Sequence, residues 1–178
     1  MPARKNKTIL VTGGAGYIGS HTIVELLSAG YDVVSLDNYV NATDRTWKRI
    51  NKITGISVKN YAVDCTDLSA LRKALKNVQD IHAVIHFAAL KSVPESVADP
   101  LRYYANNLGS LTTMLAWCKE RGISRFVFSS SCSVYGSNSS AEITEDTPLG
   151  EPGCPYAATK QIGEKMLYDV TAAEKGLD

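Results

Sequence analysis

Short apolar, β-branched runs alternate along this chain with longer stretches of helical periodicity. Residues 8–12 (TILVT) are apolar and β-branched and end at glycine, which predicts a strand. Residues 17–29 (YIGSHTIVELLSA) carry helical spacing and stop at Gly30, a residue type that readily closes a helix. A second strand follows over 32–36, then a loop and a helix near 43–53. The spacing next predicts a strand over 57–63 and a helix over 67–77, with Asp67 near its start. A fourth strand covers 83–88, and a long helix over about 99–120 ends at Gly122. The fifth strand is predicted over 125–130. A polar loop then runs from Gly136 to Pro155, and the last helix starts near Tyr156 and continues almost to the chain end.

Strands that alternate with helices make an α/β fold, whose parallel sheet is buried on both faces. Right-handed crossovers turn such a sheet into a doubly wound, Rossmann-type arrangement. No internal repeat, low-complexity tract or linker interrupts the pattern. Residues 1–178 therefore read as one domain, with residues 1–7 a polar tail.

Composition narrows the function classes. The chain has 178 residues, enough for one sizeable core. A formal net charge of +1 leaves no strong field to gather nucleic acid or a membrane surface. No apolar run approaches the roughly 18 residues a membrane-crossing helix needs. The opening MPARKNK leads straight into a strand-like run with no signal-peptide core, so a cytoplasmic protein is expected. Cys65, Cys118, Cys132 and Cys154 are widely spaced and form no CxxC pair. Without a secretion signal they do not read as a disulfide framework. His21, His82 and His86 are scattered, and the last two flank an apolar strand-like AVI, so no metal site is expected. The N-x-S/T triplets at Asn6, Asn41 and Asn138 read as chance matches for the same reason.

Candidate chemistry begins between the first strand and the first helix, at TGGAGYIGSH. Gly13, Gly16 and Gly19 form GxxGxxG, and Gly14 with the last two satisfies GxGxxG. Glycine there permits a tight turn, close approach of a pyrophosphate to the backbone, and close helix–strand packing. The helix N-terminus adds free N–H groups and a positive dipole end. Alone, the pattern fits a tight turn with no ligand equally well. Its strand–helix setting and Asp37 at the end of the second strand favour a dinucleotide. A carboxylate there accepts from ribose hydroxyls and repels a 2′-phosphate, which favours NAD over NADP.

A second constellation lies further on. Tyr156 and Lys160 are spaced i, i+4, on one face of a helix. A phenol is a poor base at neutral pH, and a neighbouring ammonium favours its ionised form. Tyr156 could then take a proton from a sugar hydroxyl. A YxxxK pair on its own is weak evidence. The run Ser129–Ser130–Ser131, at the end of the fifth strand, strengthens it, because ligands of doubly wound sheets bind at strand carboxyl ends. Pro155 suits the start of the helix.

These residues resemble the extended short-chain dehydrogenase/reductase family, and within it the UDP-glucose 4-epimerases. The resemblance rests on TGGAGYIGSHT (12–22), LDN (36–38), VIHFAALKSVPES (84–96), YYANN (103–107), FVFSSSCSVYG (126–136) and PYAATK (155–160). Departures from the family's usual text include Ala89 and Pro94 in place of glycines, and they spare the reacting groups. The resemblance implies that Tyr156 is the catalytic base and acid, and that Lys160 tunes it and binds the nicotinamide ribose. It implies that Ser131 assists at the reacting hydroxyl. Tyr17 and Ile18 would line the pyrophosphate, and Asp37, Asn38 and Asn41 the adenosine ribose. Asp64 and Cys65 would flank the adenine. Phe87, Ala88 and Lys91 would touch the middle of the cofactor, with Asn106 close by. Phe87 and Ala88 are also consistent with plain core, Lys91 and Asn106 with solvated positions, and Cys65 with packing.

The implied activity is inversion at C4 of a UDP-hexose with bound NAD. Sugar-nucleotide dehydratases and decarboxylases share the loop and the dyad, but commonly carry an acidic residue just before VYG. Cys132 and Ser133 stand there here. Another UDP-sugar 4-epimerase or a sugar-nucleotide dehydrogenase or reductase stays open. So does a non-catalytic NAD-binding chain, since the family continues into a UDP-sugar domain and this sequence stops at Asp178. The family often dimerises through helices corresponding to 99–120 and 156–175. Leu108, Leu111, Leu115, Met166, Leu167 and Val170 give an apolar stripe that fits a homodimer or ordinary core.

Overall fold

The computed structural model describes residues 7–136 and 142–173. Five strands form one parallel sheet in the order β3-β2-β1-β4-β5. They are β1 (Thr8–Thr12), β2 (Asp32–Leu36), β3 (Lys59–Tyr61), β4 (Ile81–His86) and β5 (Phe126–Phe128). Six helices connect or follow them: α1 (Tyr17–Ser28), α2 (Arg45–Thr54), α3 (Leu68–Ala74), α4 (Val93–Ala98), α5 (Pro100–Arg121) and α6 (Pro155–Ala173). The α/β expectation holds, and the tail position Asn6 and the triplet at Asn138 lie outside the described residues.

The central strand shows why its sequence is apolar without a break. β1 pairs with β2 on one side and β4 on the other, with Leu10 opposite Val34 and Val84. Its side chains alternate between faces, and both faces are covered. Ile9 and Val11 pack with Ile23, Leu27, Val33 and Ile50 beneath α1 and α2. Leu10 packs on the other face with Leu36, Leu71, Val84, Met114 and Trp117 beneath α3 and α5.

Helix ends follow the capping residues. The Asp67 side chain accepts from the Ala70 N–H, and Asp99 accepts from the Arg102 N–H, so each satisfies a free donor of the first turn. Gly122 closes α5 in the left-handed conformation at φ 65°.

The differences from the sequence expectation fall at edges and in loops. β3 and β5 are three residues each, and each pairs with a single neighbour, over Val34–Leu36 of β2 and Val84–His86 of β4. β4 starts at Ile81 rather than 83, because Ile81 pairs with Thr8. It stops at His86, so His86 belongs to the strand and Phe87 and Ala88 do not. α3 is shorter than 67–77 and ends in a turn in which the Val78 N–H donates to the Leu75 carbonyl. α4 was not foreseen. It is six residues long, is started by Ser92, and carries Pro94 in its first turn, where a missing N–H costs nothing. A 3-10 turn over Cys132–Tyr135 also follows β5. In the proposed dimer stripe, Leu111 and Leu115 are buried within the chain. No helix among the described residues is long and apolar enough to cross a membrane.

Candidate cofactor and catalytic site

The strand order reverses at β1, so a crevice opens between the loops that follow β1 and β4. The glycine loop lines one wall. Gly13 has φ 69° and donates its N–H to the Leu36 carbonyl at 2.8 Å. A Cβ on it would stand 2.9 Å from the Ala88 nitrogen, so the β1 and β4 loops touch only because this residue has no side chain. A Cβ on Gly19 would lie 2.3 Å from the Gly13 carbonyl oxygen, which explains the third glycine of the pattern. α1 follows with no side-chain cap on its N-terminus, leaving its first N–H groups for an anion. Gly16, Tyr17, Ile18 and Gly19 all line the cleft there.

Thr12 fixes the opposite wall. The Phe87 N–H donates to its carbonyl at 3.1 Å, and the Ala88 N–H donates to its hydroxyl at 3.2 Å. The same hydroxyl lies 2.8 Å from His86 Nδ1, within hydrogen-bond distance, and so ties His86 to the same residue. His86 is fully buried, and burial together with the Lys160 ammonium pulls its pKa down to about 3. Asn107, unremarked in the sequence beside Asn106, holds the next stretch. It accepts from the Leu90 N–H at 2.8 Å, donates to the Leu90 carbonyl at 3.0 Å and to the Thr159 hydroxyl at 3.1 Å. Its position within YYANN was the available signal.

Asp37 stands just past β2. Its two carboxylate oxygens accept from the Ala15 N–H at 2.9 Å and the Tyr39 N–H at 2.8 Å. It therefore pins the glycine loop as well as facing the cleft. Beside it the Asn38 amide donates to Asp64 at 3.1 Å. Burial raises the Asp64 carboxyl, but hydrogen bonds from the Thr66 N–H, the Thr66 hydroxyl and Asn38 together outweigh it and hold the group below its ordinary value. Cys65 is buried, and desolvation, then Asp64 and Asp37, push its thiol up to about 12, which makes it a packing residue and not a nucleophile.

The catalytic candidates stand at the other end. Tyr156 lies in the first turn of α6, and Lys160 follows one turn later. The Lys160 ammonium donates to the Ser129 carbonyl at 2.6 Å and lies 4.7 Å from the Phe128 ring centre and 5.9 Å from that of Tyr156. Burial lowers its pKa to about 8. The serine run is held residue by residue. Ser130 donates to Glu164 of α6, and Ser131 accepts from the Ser133 N–H at 3.2 Å and from the Ser133 hydroxyl at 2.9 Å.

One cleft of about 690 Å³ joins both ends. The candidate site residues line it: Gly13, Gly16 and Gly19 of the loop with Tyr17 and Ile18, then Asp37, Asn38, Asn41, Asp64 and Cys65, while Gly14 of the loop does not. Phe87, Ala88, Lys91 and Asn106 lie between those and Ser131, Tyr156 and Lys160. Sequence reasoning missed Arg102 and Ser110 in the same wall. Arg102, in the first turn of α5, pairs with Glu95 of α4 at 2.5 Å.

The sequence profile of the NAD dependent epimerase/dehydratase family matches residues 9–178. The chain belongs to that family. Among its relatives in the epimerase/dehydratase family, the UDP-glucose 4-epimerase of Bacillus subtilis is 47% identical over 166 residues, covering 93% of this chain and 48% of that protein. The Haemophilus influenzae UDP-glucose 4-epimerase is 46% identical over 166 residues, covering 93% and 49% respectively. The crystal structure of the Bifidobacterium longum UDP-glucose 4-epimerase, in complex with NAD+ and UDP, superposes with a TM-score of 0.89 at 46% identity. It matches 94% of this chain and 50% of its own. The chain thus spans about half the length of the epimerases it matches.

The residues present fit NAD. The loop is closed to side chains where a pyrophosphate would lie, the α1 N-terminus is uncapped, and a carboxylate stands at the β2 end.

Proposed function

We propose that this chain binds NAD across the β1–β4 crevice and carries the proton-transfer groups of a UDP-hexose 4-epimerase. The observation that carries the reading is that Ser131, Tyr156 and Lys160 share one cleft with the glycine loop and Asp37. The α1 N-terminus and the glycine loop take the pyrophosphate, and Asp37 with Asn38 and Asn41 takes the adenosine ribose. Asp64 and Cys65 border the adenine, while Phe87, Ala88, Lys91 and Asn106 border the rest of the cofactor.

Bound NAD would supply a reversible hydride acceptor for C4 of the sugar. Tyr156 removes the proton from the C4 hydroxyl and later returns one. Ser131 hydrogen-bonds the same oxygen and fixes its direction. Lys160 places a buried cation 5.9 Å from the Tyr156 ring centre, on the nicotinamide-ribose side of the site. Cys132 and Ser133 offer no carboxylate for an elimination, which favours an epimerase over a dehydratase.

Two measurements test this. Calorimetry on the chain is expected to show tighter binding of NAD than of NADP, because Asp37 opposes a 2′-phosphate. Equal or reversed affinities would remove the cofactor assignment. In a coupled assay, the 178-residue chain alone is expected to convert UDP-galactose below detection, because it spans only about half the length of the epimerases it matches. Robust turnover by that chain would contradict this division of labour.

A further inference from the structure

The Asp37 carboxylate is fixed from more than one element. The Ala15 N–H of the glycine loop donates to one oxygen, and the Tyr39 N–H donates to the other. The second bond needs Tyr39 in the left-handed region, at φ 61°. That conformation is costly for a residue with a Cβ. The Tyr39 hydroxyl anchors it at the far end. It accepts from the Trp47 indole N–H at 2.7 Å and from the Asn60 amide at 2.9 Å. The same Asn60 amide donates to the Asp37 carbonyl at 3.3 Å. One residue before Trp47, the Thr46 hydroxyl donates to the Ala15 carbonyl at 3.0 Å. Ala15 is therefore gripped on both sides of its backbone, by Asp37 and by Thr46. α2, which supplies Thr46 and Trp47, contributes no residue to the cleft wall itself.

We infer that Tyr39, Thr46 and Trp47 are positioning residues that set the nucleotide preference of this site, acting through Asp37 and Ala15. The inference rests on the cofactor reading above. Each carboxylate oxygen offers two acceptor positions, and one on each is used internally. The pair left over is directed by those two backbone bonds. A carboxylate held this way meets a ribose diol as an acceptor and cannot turn aside from a 2′-phosphate. Released from Tyr39 or from Ala15, it swings. It then loses part of its grip on the diol and part of its repulsion of the phosphate, so the two nucleotides converge in affinity.

Three variants of the chain separate this role from plain packing. Tyr39→Phe removes only the hydroxyl. Thr46→Val removes the bond to Ala15 at nearly constant shape, and Thr46→Ser keeps it. Dissociation constants for NAD and NADP are measured by calorimetry, with the melting temperature alongside. Tyr39→Phe and Thr46→Val are each expected to weaken NAD about tenfold while changing NADP less than about threefold, and Thr46→Ser to stay within about twofold of the parent. A structural role alone would lower both nucleotides together, in step with melting temperature. That result, or Thr46→Ser behaving as Thr46→Val, overturns the inference. A parent chain that prefers NAD and variants that keep the preference also overturn it, and leave the cofactor reading standing. A parent chain that binds neither nucleotide removes the cofactor reading and this inference with it. Should Tyr39→Phe not fold, the two Thr46 variants decide.

Discussion

Acid is expected to unfold this chain largely through one side chain, His86. Its imidazole is buried and neutral, with its pKa held down to about 3 by burial and by the Lys160 ammonium. An unfolded histidine titrates near 6.5, so between those values the unfolded state binds a proton that the folded state refuses. Stability therefore rises with pH in that window and is lost as pH falls through it. The expected loss relative to pH 7 is about 2 kcal/mol at pH 5 and about 3 kcal/mol at pH 4. Urea denaturation across that range, on the parent and on His86→Asn, checks the assignment. Asparagine can still hydrogen-bond the Thr12 hydroxyl through its side-chain amide but carries no titrating group. The variant is expected to be less stable at pH 7 and distinctly flatter in its pH dependence. Parallel profiles for the two proteins would place the acid sensitivity elsewhere.

The same residue shows where sequence reasoning stops. His86 was visible as the end of an apolar run, and that run marked the fourth strand. Nothing local foretold its bond to Thr12, because the two lie 74 positions apart and meet only once β1 and β4 pair. The readable features were those decided by adjacent residues: the buried strands, the Asp67 cap, the Gly122 stop and the loop glycines. Tyr156 and Lys160 were readable for the same reason, since one helical turn fixes their relation. The edge strands β3 and β5 are shorter than their β propensity suggests, since each pairs with one neighbour only and ends level with Leu36 or His86, the last residues of β2 and β4. α4 escaped because six residues with an internal proline carry too little periodicity to register. Tyr39 escaped because its left-handed backbone is held by Trp47 and Asn60 from two other elements, and no tyrosine announces that alone.

The site is braced by hydrogen bonds between its own elements. The loops after β1 and β4 are locked to each other through Thr12, Gly13 and Ala88. The serine run after β5 is locked to α6 through Lys160 and Glu164. The two sides of the cleft are joined through Asn107, which bonds Leu90 and Thr159. A cleft assembled this way presents its donors with little freedom left to lose on binding.

Lys160→Met is expected to make the chain more stable and a poorer nucleotide binder. Burial drops the Lys160 pKa to about 8, so at pH 7 the fold carries a desolvated ammonium. The shift from the ordinary lysine value corresponds to a cost of about 3 kcal/mol. Methionine is of similar length and has no charge to desolvate. It leaves the Ser129 carbonyl without its donor, which returns about 1–2 kcal/mol of that gain. A net stabilisation of about 1–2 kcal/mol at pH 7 is the expected result in urea denaturation. The sign of its pH dependence follows from the lowered pKa. Between about pH 8 and the unfolded lysine value, the unfolded state holds a proton that the folded parent has released, so the parent gains stability as pH rises. The advantage of the methionine variant should therefore shrink by about 1.4 kcal/mol on going from pH 7 to pH 9. Under the proposed role of Lys160 at the nicotinamide ribose, NAD affinity should fall about tenfold in the same variant. A variant that is less stable than the parent at pH 7, or whose advantage does not narrow with alkali, would mean that the buried ammonium is fully compensated in the fold. A variant that gains stability but keeps its NAD affinity would mean that the ammonium serves Tyr156 alone.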